Sequence, residues 1–174
     1  LTVSKVDDVQ KMASNILLMA KLDDGRIQME NNSFDIVETC QHIIIDSTQS
    51  AKTKNIRIIY DFPNNPQCVS GDGFYIQQAL DNILSNAIRH SPIGGEIKFK
   101  IVNKVDTINI IISDNGDGIS QNDLGSIFDR YFTKSKYGSK GTGLGLPVAL
   151  EIVRQHGGDI TVKSTVEKGS DFTL

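Results

Sequence analysis

Two runs of regularly spaced apolar residues, and the shortness of the chain between them, restrict the fold most. Ile97, Phe99 and Ile101 recur at every second position, and so do Ile108, Ile110 and Ile112. A period of two predicts strands with one buried face. The link around Lys104 to Asp106 is of hairpin length. A parallel crossover would need a dozen residues or more, so the two strands are expected to pair antiparallel. Helical patterns lie on both sides, at about 73 to 90 and from Pro147 to His156. Strands and helices mixed in this way predict an α+β layer rather than an alternating βαβ sheet.

The rest of the chain adds elements to that frame. From 3 to 22, the residues Val6, Val9, Ala13, Ile16 and Ala20 step by 3, 4, 3 and 4, a heptad seam. Met12, Leu17 and Met19 widen it toward a bundle face, and Asp23-Asp24-Gly25 stops it. Such a helix either packs on its own domain or forms half of an inter-chain bundle; spacing does not choose between them. Residues 27 to 30 suit a short strand. Ser33 then reads as an N-cap, with Asp35 in the first turn of a helix. Val37, Cys40, Ile44, Ser47 and Ala51 mark one face of that helix as far as Lys54. Ile56, Ile58, Tyr60 and Phe62 alternate as a strand ended by Pro63 and Asn64-Asn65-Pro66. A short helix is expected at 121 to 129, and strands at 159 to 164 and 171 to 174. Residues 133 to 140 are polar, contain Lys134, Lys136, Gly138 and Lys140, and have no periodicity, as expected of a mobile loop.

Composition narrows the function classes. The 174 residues suffice for one domain and a short appendage. A net charge of −3 without a basic cluster argues against direct nucleic-acid binding. Cys40 and Cys68 lack metal-ligand spacing and read as reduced thiols. No apolar run approaches the ~20 residues of a membrane span. The chain starts at Leu1, already inside a helical pattern, which is expected of a piece of a longer protein.

Three stretches carry chemistry. In Gly141-Thr142-Gly143-Leu144-Gly145-Leu146, alternate glycines leave backbone N–H groups unshielded, and a helix follows with Pro147 in its first turn. Free backbone donors and the positive end of a helix suit an anion, most simply phosphate. The run fits neither the Gly-x-x-x-x-Gly-Lys-Ser/Thr nor the Gly-x-Gly-x-x-Gly spacing. On the helix at 73 to 90, Gln78, Asn82, Asn86 and Arg89 step by 4, 4 and 3 along one face, opposite Ile76, Leu80, Ile83 and Ala87. Amide oxygens are hard ligands suited to Mg²⁺, and the arginine could pair with phosphate oxygens. Asp114 ends an apolar strand and opens Asn115-Gly116-Asp117-Gly118. Its carboxylate could accept a hydrogen bond from an exocyclic amine such as that of adenine, although an ordinary Asp/Gly turn would read the same.

Together these stretches resemble one family. Gln78-x-x-x-Asn82-x-x-x-Asn86-Ala87 is similar to the N box of sensor histidine kinases, and Asp114-x-Gly116-x-Gly118 to their G1 box. Ile127-Phe128-Asp129-Arg130-Tyr131-Phe132 resembles the F box, and Gly141 to Leu146 the G2 box. The four occur in the family's order, and the resemblance runs from about Phe34 to Leu174. The resemblance implies a Bergerat-type ATP-binding fold at 26 to 174, a two-layer sandwich with a mixed sheet on three helices. Residues 1 to 25 would be the second helix of the dimerisation and phosphotransfer bundle. Asn86 would coordinate Mg²⁺ with Asn82 assisting, Arg89 would stand near the phosphates, and His90 beside the nucleotide. Asp114 would bind the adenine amine, with Gly116, Gly118 and Ile119 shaping the pocket. Gly141, Gly143 and Gly145 would bound the phosphates, together with Thr142, Leu144 and Leu146. Residues 133 to 140 would be the ATP lid, anchored by Phe128 and Phe132.

The expected function is transfer of the ATP γ-phosphate to a bundle histidine, for relay to an aspartate of a response-regulator receiver domain. The implied setting is the cytoplasmic part of a larger inner-membrane sensor that pairs with a second copy of itself. Two features depart from the pattern. Thr133 stands where the family often has a basic residue, with Lys134 one place later. None of His42, His90 and His156 has the acidic neighbour and following proline of a phosphoacceptor. Alternatives are a degenerate nucleotide-binding module and a water-using ATPase of the gyrase type. The latter needs a glutamate where Asn82 stands, and an amide cannot take a proton from water.

Overall fold

A computed structural model describes residues 3–24, 27–134 and 141–174. The expected hairpin is its centre. β4 (Glu96–Asn103) and β5 (Ile108–Asp114) pair antiparallel from Ile97↔Asp114 to Asn103↔Ile108. The Lys104 N–H closes the turn on the Thr107 carbonyl at 2.8 Å. β2 (Arg57–Asp61) joins β4 in parallel, while β7 (Gly169–Thr173) and β6 (Thr161–Thr165) extend the other side antiparallel. The sheet is thus mixed, in the order β2-β4-β5-β7-β6. Along β4, Ile97, Phe99 and Ile101 are buried and Lys98, Lys100 and Val102 are exposed, so one face of the sheet is packed and the other is wet.

Three helices cover the packed face: α2 (Ile36–Thr53), α3 (Gly73–His90) and α5 (Gly145–Gln155). Leu80, Ile83 and Leu84 of α3 meet Ile97, Phe99, Ile112 and Phe172 of the sheet and Val148 and Ile152 of α5, all fully buried. Burying each such side chain is worth about 1.5–3 kcal/mol, so this layer accounts for much of the driving force. Two cross-braces hold helix ends. Lys54 donates from Nζ to the Ile88, Arg89 and Ser91 carbonyls at 3.0, 2.6 and 2.9 Å, satisfying the C-terminal end of α3. His156 accepts the Asp72 N–H on Nε2 at 2.9 Å, which leaves Nδ1 to donate to the Ile152 carbonyl at 2.8 Å.

Several local expectations are corrected. Residues 27–30 form no strand; the strand is β1 (Asn32–Asp35), antiparallel to β3 (Cys68–Gly71). Ser33 lies inside β1, and Asp35 caps α2. Its Oδ1 accepts both the Val37 N–H at 3.0 Å and the Gln67 N–H at 2.8 Å, so one carboxylate starts the helix and ties it to the loop before β3. The short helix α4 covers only Gln121–Leu124. Beyond Gly125 the backbone bonds are of the i→i+3 kind, Ser126 to Asp123 and Asp129 to Ser126. Helix α5 begins at Gly145, so Pro147 is its third residue, still in the turn whose N–H groups have no helical acceptor. The last two strands begin and end within about two residues of expectation.

Helix α1 (Val3–Asp23) packs on its own domain, with a different stripe from the heptad seam. Asn15, Leu18, Met19 and Leu22 are buried, whereas Met12, Ala13, Ile16, Leu17 and Ala20 are exposed. Among the described residues its chief contact is with α5. The side chains of Val6 and Val9 lie outside the described residues, as do residues 135 to 140 of the loop expected at 133 to 140.

Candidate functional site

A cavity of about 450 Å³ opens between α3, the turn after β5, the segment around Phe132 and the start of α5. It gathers the three chemical stretches. Asn82, Asn86, Arg89 and His90 line it from α3, and Asp114, Gly118 and Ile119 from the turn. Lys134, Gly141, Thr142, Gly143, Gly145 and Leu146 close the far side. Gly116 lies behind Asp114 and donates its N–H to Oδ1 at 2.8 Å. Phe128 packs against the core, and Leu144 is buried as the residue preceding α5, so these three shape the site without lining it.

Helix α3 places its amides by periodicity, though not toward water as a polar face would. Asn82 is only 3% exposed, and its Nδ2 has no hydrogen-bond partner among the described residues. A buried donor without a partner normally costs about 1–3 kcal/mol. In a cavity wall, an amide N–H of this kind suits an anion's oxygen or an ordered water. Asn86, one turn on, is half-buried and lines the same wall.

The glycine run adopts its shape because neighbours approach its backbone. Gly143 has φ +67, and a Cβ there would stand 2.5 Å from the Tyr131 carbonyl carbon. The Tyr131 N–H also donates to the Gly143 carbonyl at 2.9 Å. At Gly141 a Cβ would collide with the Arg89 guanidinium. The residue before α5, Leu144, offers no side-chain cap. The helix therefore starts at the cavity wall with first-turn N–H groups that have no acceptor within the helix, and with its positive end.

Electrostatics divide the site. Burial pushes the Asp114 carboxyl up to about 6, against hydrogen bonds from the Gly116 and Ser170 backbones that favour its charge. Burial also lowers the His90 imidazole, with the Arg89 charge adding to the effect, so the ring is neutral. At the rim, Lys134 donates to Asp123 Oδ1 at 2.5 Å, and Ser120 Oγ donates to Oδ2 at 2.6 Å. Those two bonds, Lys134 first, hold the Asp123 carboxyl below the usual range. Asn15 of α1, Asp117, Asp123 and Ser170 also line the cavity and were not singled out from sequence. Of these only Asp123 carried a signal, a Ser120-x-x-Asp123 helix-start spacing.

Away from the cavity, His42 is exposed on α2, and His156 is committed to the brace with Asp72. Cys40 and Cys68 are both unbridged. Burial, together with Asp35, raises the Cys40 thiol to about 12. Among the described residues no helix is long and apolar enough to cross a membrane.

Comparison with known proteins converges on one class. Residues 71–174 match the family described as histidine kinase-, DNA gyrase B- and HSP90-like ATPase. Sensor histidine kinase WalK of Bacillus subtilis is 34% identical over 178 residues, covering 99% of this chain and 29% of WalK. Sensor protein KdpD of Clostridium acetobutylicum is 35% identical over 165 residues, covering 92% of this chain and 18% of KdpD. The chain thus spans less than a third of the length of either relative. The catalytic domain of histidine kinase ThkA, in a nucleotide-free form, superposes with a TM-score of 0.74 at 26% identity, over 83% of this chain and 93% of that one. Full-length ShkA in complex with AMPPNP shares the fold, with a TM-score of 0.84 at 19% identity, over 98% of this chain and 36% of ShkA.

Proposed function

We propose that this chain, which belongs to the family of histidine kinase-, DNA gyrase B- and HSP90-like ATPases, binds Mg–ATP in the cavity beside Gly141–Leu146 as the catalytic portion of a sensor histidine kinase. The observation that carries the reading is convergence. A carboxylate suited to an amine, an amide pair, an arginine and an open helix N-terminus all line one cavity. Asp114 would accept from the adenine amine, beside the backbones of Gly116 and Gly118 and the side chain of Ile119. Asn86 would supply an oxygen to Mg²⁺. Asn82, beside it, would help hold the metal and phosphate group, its unpartnered Nδ2 finding an acceptor there. Arg89 and Lys134 would offset phosphate charge, and the N–H groups at Gly141, Gly143 and Gly145 would bound it, with Thr142, Leu144 and Leu146 holding that segment in place. His90, being neutral, offers a ring face or a single N–H to the nucleotide and no charge.

Phosphoryl transfer needs positioning and charge neutralisation more than covalent chemistry. The bound magnesium would neutralise charge developing on the phosphates. The chain's own residues orient the nucleotide so that the γ-phosphate faces a nucleophile from outside this domain. That nucleophile would be an imidazole nitrogen on a bundle helix paired with α1. Residues 1 to 25 would belong to that bundle. The exposed Ala13, Ile16 and Ala20 stripe supports pairing there with another helix or a second copy. The phosphoryl group would then pass to a response regulator, and the whole protein would be a larger, membrane-attached sensor. Asn82, an amide where water-using relatives place a base, disfavours the ATPase alternative. Asn86, Asp114 and the complete glycine run disfavour a degenerate module.

Calorimetric titration of the chain with ATP and ADP, with and without Mg²⁺, tests the reading. Binding of adenine nucleotides is expected, strengthened by Mg²⁺; no binding of either at about millimolar concentration refutes it.

A further inference from the structure

We propose that Asp123 sets how readily this site accepts a polyphosphate, by holding Lys134 in an ion pair for which the phosphate oxygens must compete. The inference rests on the nucleotide-binding reading above and assigns a residue which that reading leaves unused. Asp123 and Lys134 both line the cavity, at the rim near Phe132 and the glycine run. The carboxylate is the fixed partner. Its side chain is 16% exposed, it sits in the first turn of α4, and its second oxygen is taken by Ser120. The ammonium is the movable one, 67% exposed on a four-carbon stem.

A carboxylate and a phosphate oxygen are alternative partners for one ammonium, so Lys134 cannot serve both fully. Asp123 therefore acts against a polyphosphate twice. It occupies the cation, and it places a negative charge on the wall the phosphates face. A ligand without β- and γ-phosphates would make no claim on Lys134 and would meet neither penalty. Asp123 is thus a determinant of discrimination between nucleotides by phosphate number, and it shifts occupancy toward ligands with fewer phosphates.

The test is calorimetric titration of MgATP and AMP into the wild type, Asp123→Asn, Lys134→Gln and the double variant, with Lys134→Arg as the conservative control. Asparagine keeps the shape that receives the Ser120 hydroxyl and removes the charge. Asp123→Asn is expected to tighten MgATP about two- to fivefold, the range set by a partly exposed ion pair, and to leave AMP within error. Lys134→Gln should weaken MgATP and remove most of the gain from Asp123→Asn; Lys134→Arg, which keeps the charge, should weaken MgATP less than Lys134→Gln. If Asp123→Asn leaves MgATP affinity unchanged or weakens it while lowering the melting temperature, the pair is a structural brace and the proposal fails. It fails equally if AMP gains as much as MgATP, or if the gain persists in full without Lys134. Wild-type chain that binds neither ligand would instead refute the nucleotide reading itself.

Discussion

Asp114 makes the sharpest prediction, because its environment sets it against its own charge. With the carboxyl at about 6, burial being the main cause, the group titrates inside the range where the protein can be assayed. If only the carboxylate accepts well from the adenine amine, the apparent dissociation constant is the intrinsic one divided by the ionised fraction. That fraction is about 0.9 at pH 7 and about 0.1 at pH 5, so affinity for an adenine nucleotide should fall about tenfold across the interval. Nucleotide phosphates titrate nearby as well. The quantity to measure is therefore the ratio of wild-type to Asp114→Asn affinity, by displacement of a fluorescent nucleotide at pH 5, 6 and 7. Asparagine cannot titrate, and its oxygen can still receive the Gly116 N–H. Parallel profiles for the two proteins would refute the reasoning.

The same residue links to stability with a definite sign. A folded pKa raised from 3.8 to about 6 means that the native state holds the proton more tightly than the unfolded chain does. The associated stability is fully present below about pH 4 and is lost as pH rises through about 6. Ionised Asp114 therefore costs the nucleotide-free fold about 3 kcal/mol near neutrality. Asp114→Asn should be more stable than wild type at pH 7.5, and the advantage should disappear near pH 4. Chemical denaturation at the two pH values reads this directly. A variant less stable at pH 7.5 would show that the backbone hydrogen bonds outweigh desolvation.

Three further substitutions probe separate parts of the site. Asn86→Ala should remove the Mg²⁺-dependent part of ATP affinity and leave the Mg²⁺-independent part in place; an unchanged Mg²⁺ dependence in titration would refute the metal assignment. Lys54→Met removes the donor shared by the Ile88, Arg89 and Ser91 carbonyls and should lower stability by about 1–3 kcal/mol in urea, with partial recovery in Lys54→Arg. Gly143→Ala places a Cβ against the Tyr131 backbone at φ +67. It should cost at least about 1 kcal/mol and weaken ATP more than adenosine, as seen by thermal unfolding and competition titration.

Legibility in the sequence followed the length of the pattern. The β4–β5 hairpin could be read because six isoleucines and phenylalanines keep their spacing on either side of a short link. β1 and β3 have four residues each, with half-exposed patterns, and too few side chains to show a period. Their pairing is accompanied by the bond from Asp35 to the loop before β3, a contact across 32 positions that no local window contains. The second stripe of α1, by which it docks on the domain, was not legible for a related reason. A heptad seam records which residues are apolar, whereas Asn15, a polar residue, lies in the stripe that docks on the domain. Polar side chains at the margin of a ligand cavity are buried by geometry that hydropathy does not report.

The glycine run shows why motif spacing could locate the site without explaining it. Read as a string, its three glycines are equivalent, each simply lacking a side chain. In the fold they answer to different neighbours: Gly141 to the Arg89 guanidinium, Gly143 to the Tyr131 backbone, and Gly145 to Asn82, whose Oδ1 a Cβ would approach at 3.5 Å. The last distance is ordinary contact, so an alanine fits at 145 where it cannot fit at 143 without strain. Gly145 is therefore the position where steric demand within the protein is weakest and where space for an incoming anion gives the remaining reason for glycine. Gly145→Ala should thus preserve the fold and selectively reduce phosphate affinity. A Gly143→Ala loss of both would separate scaffold from ligand contact within a single six-residue segment.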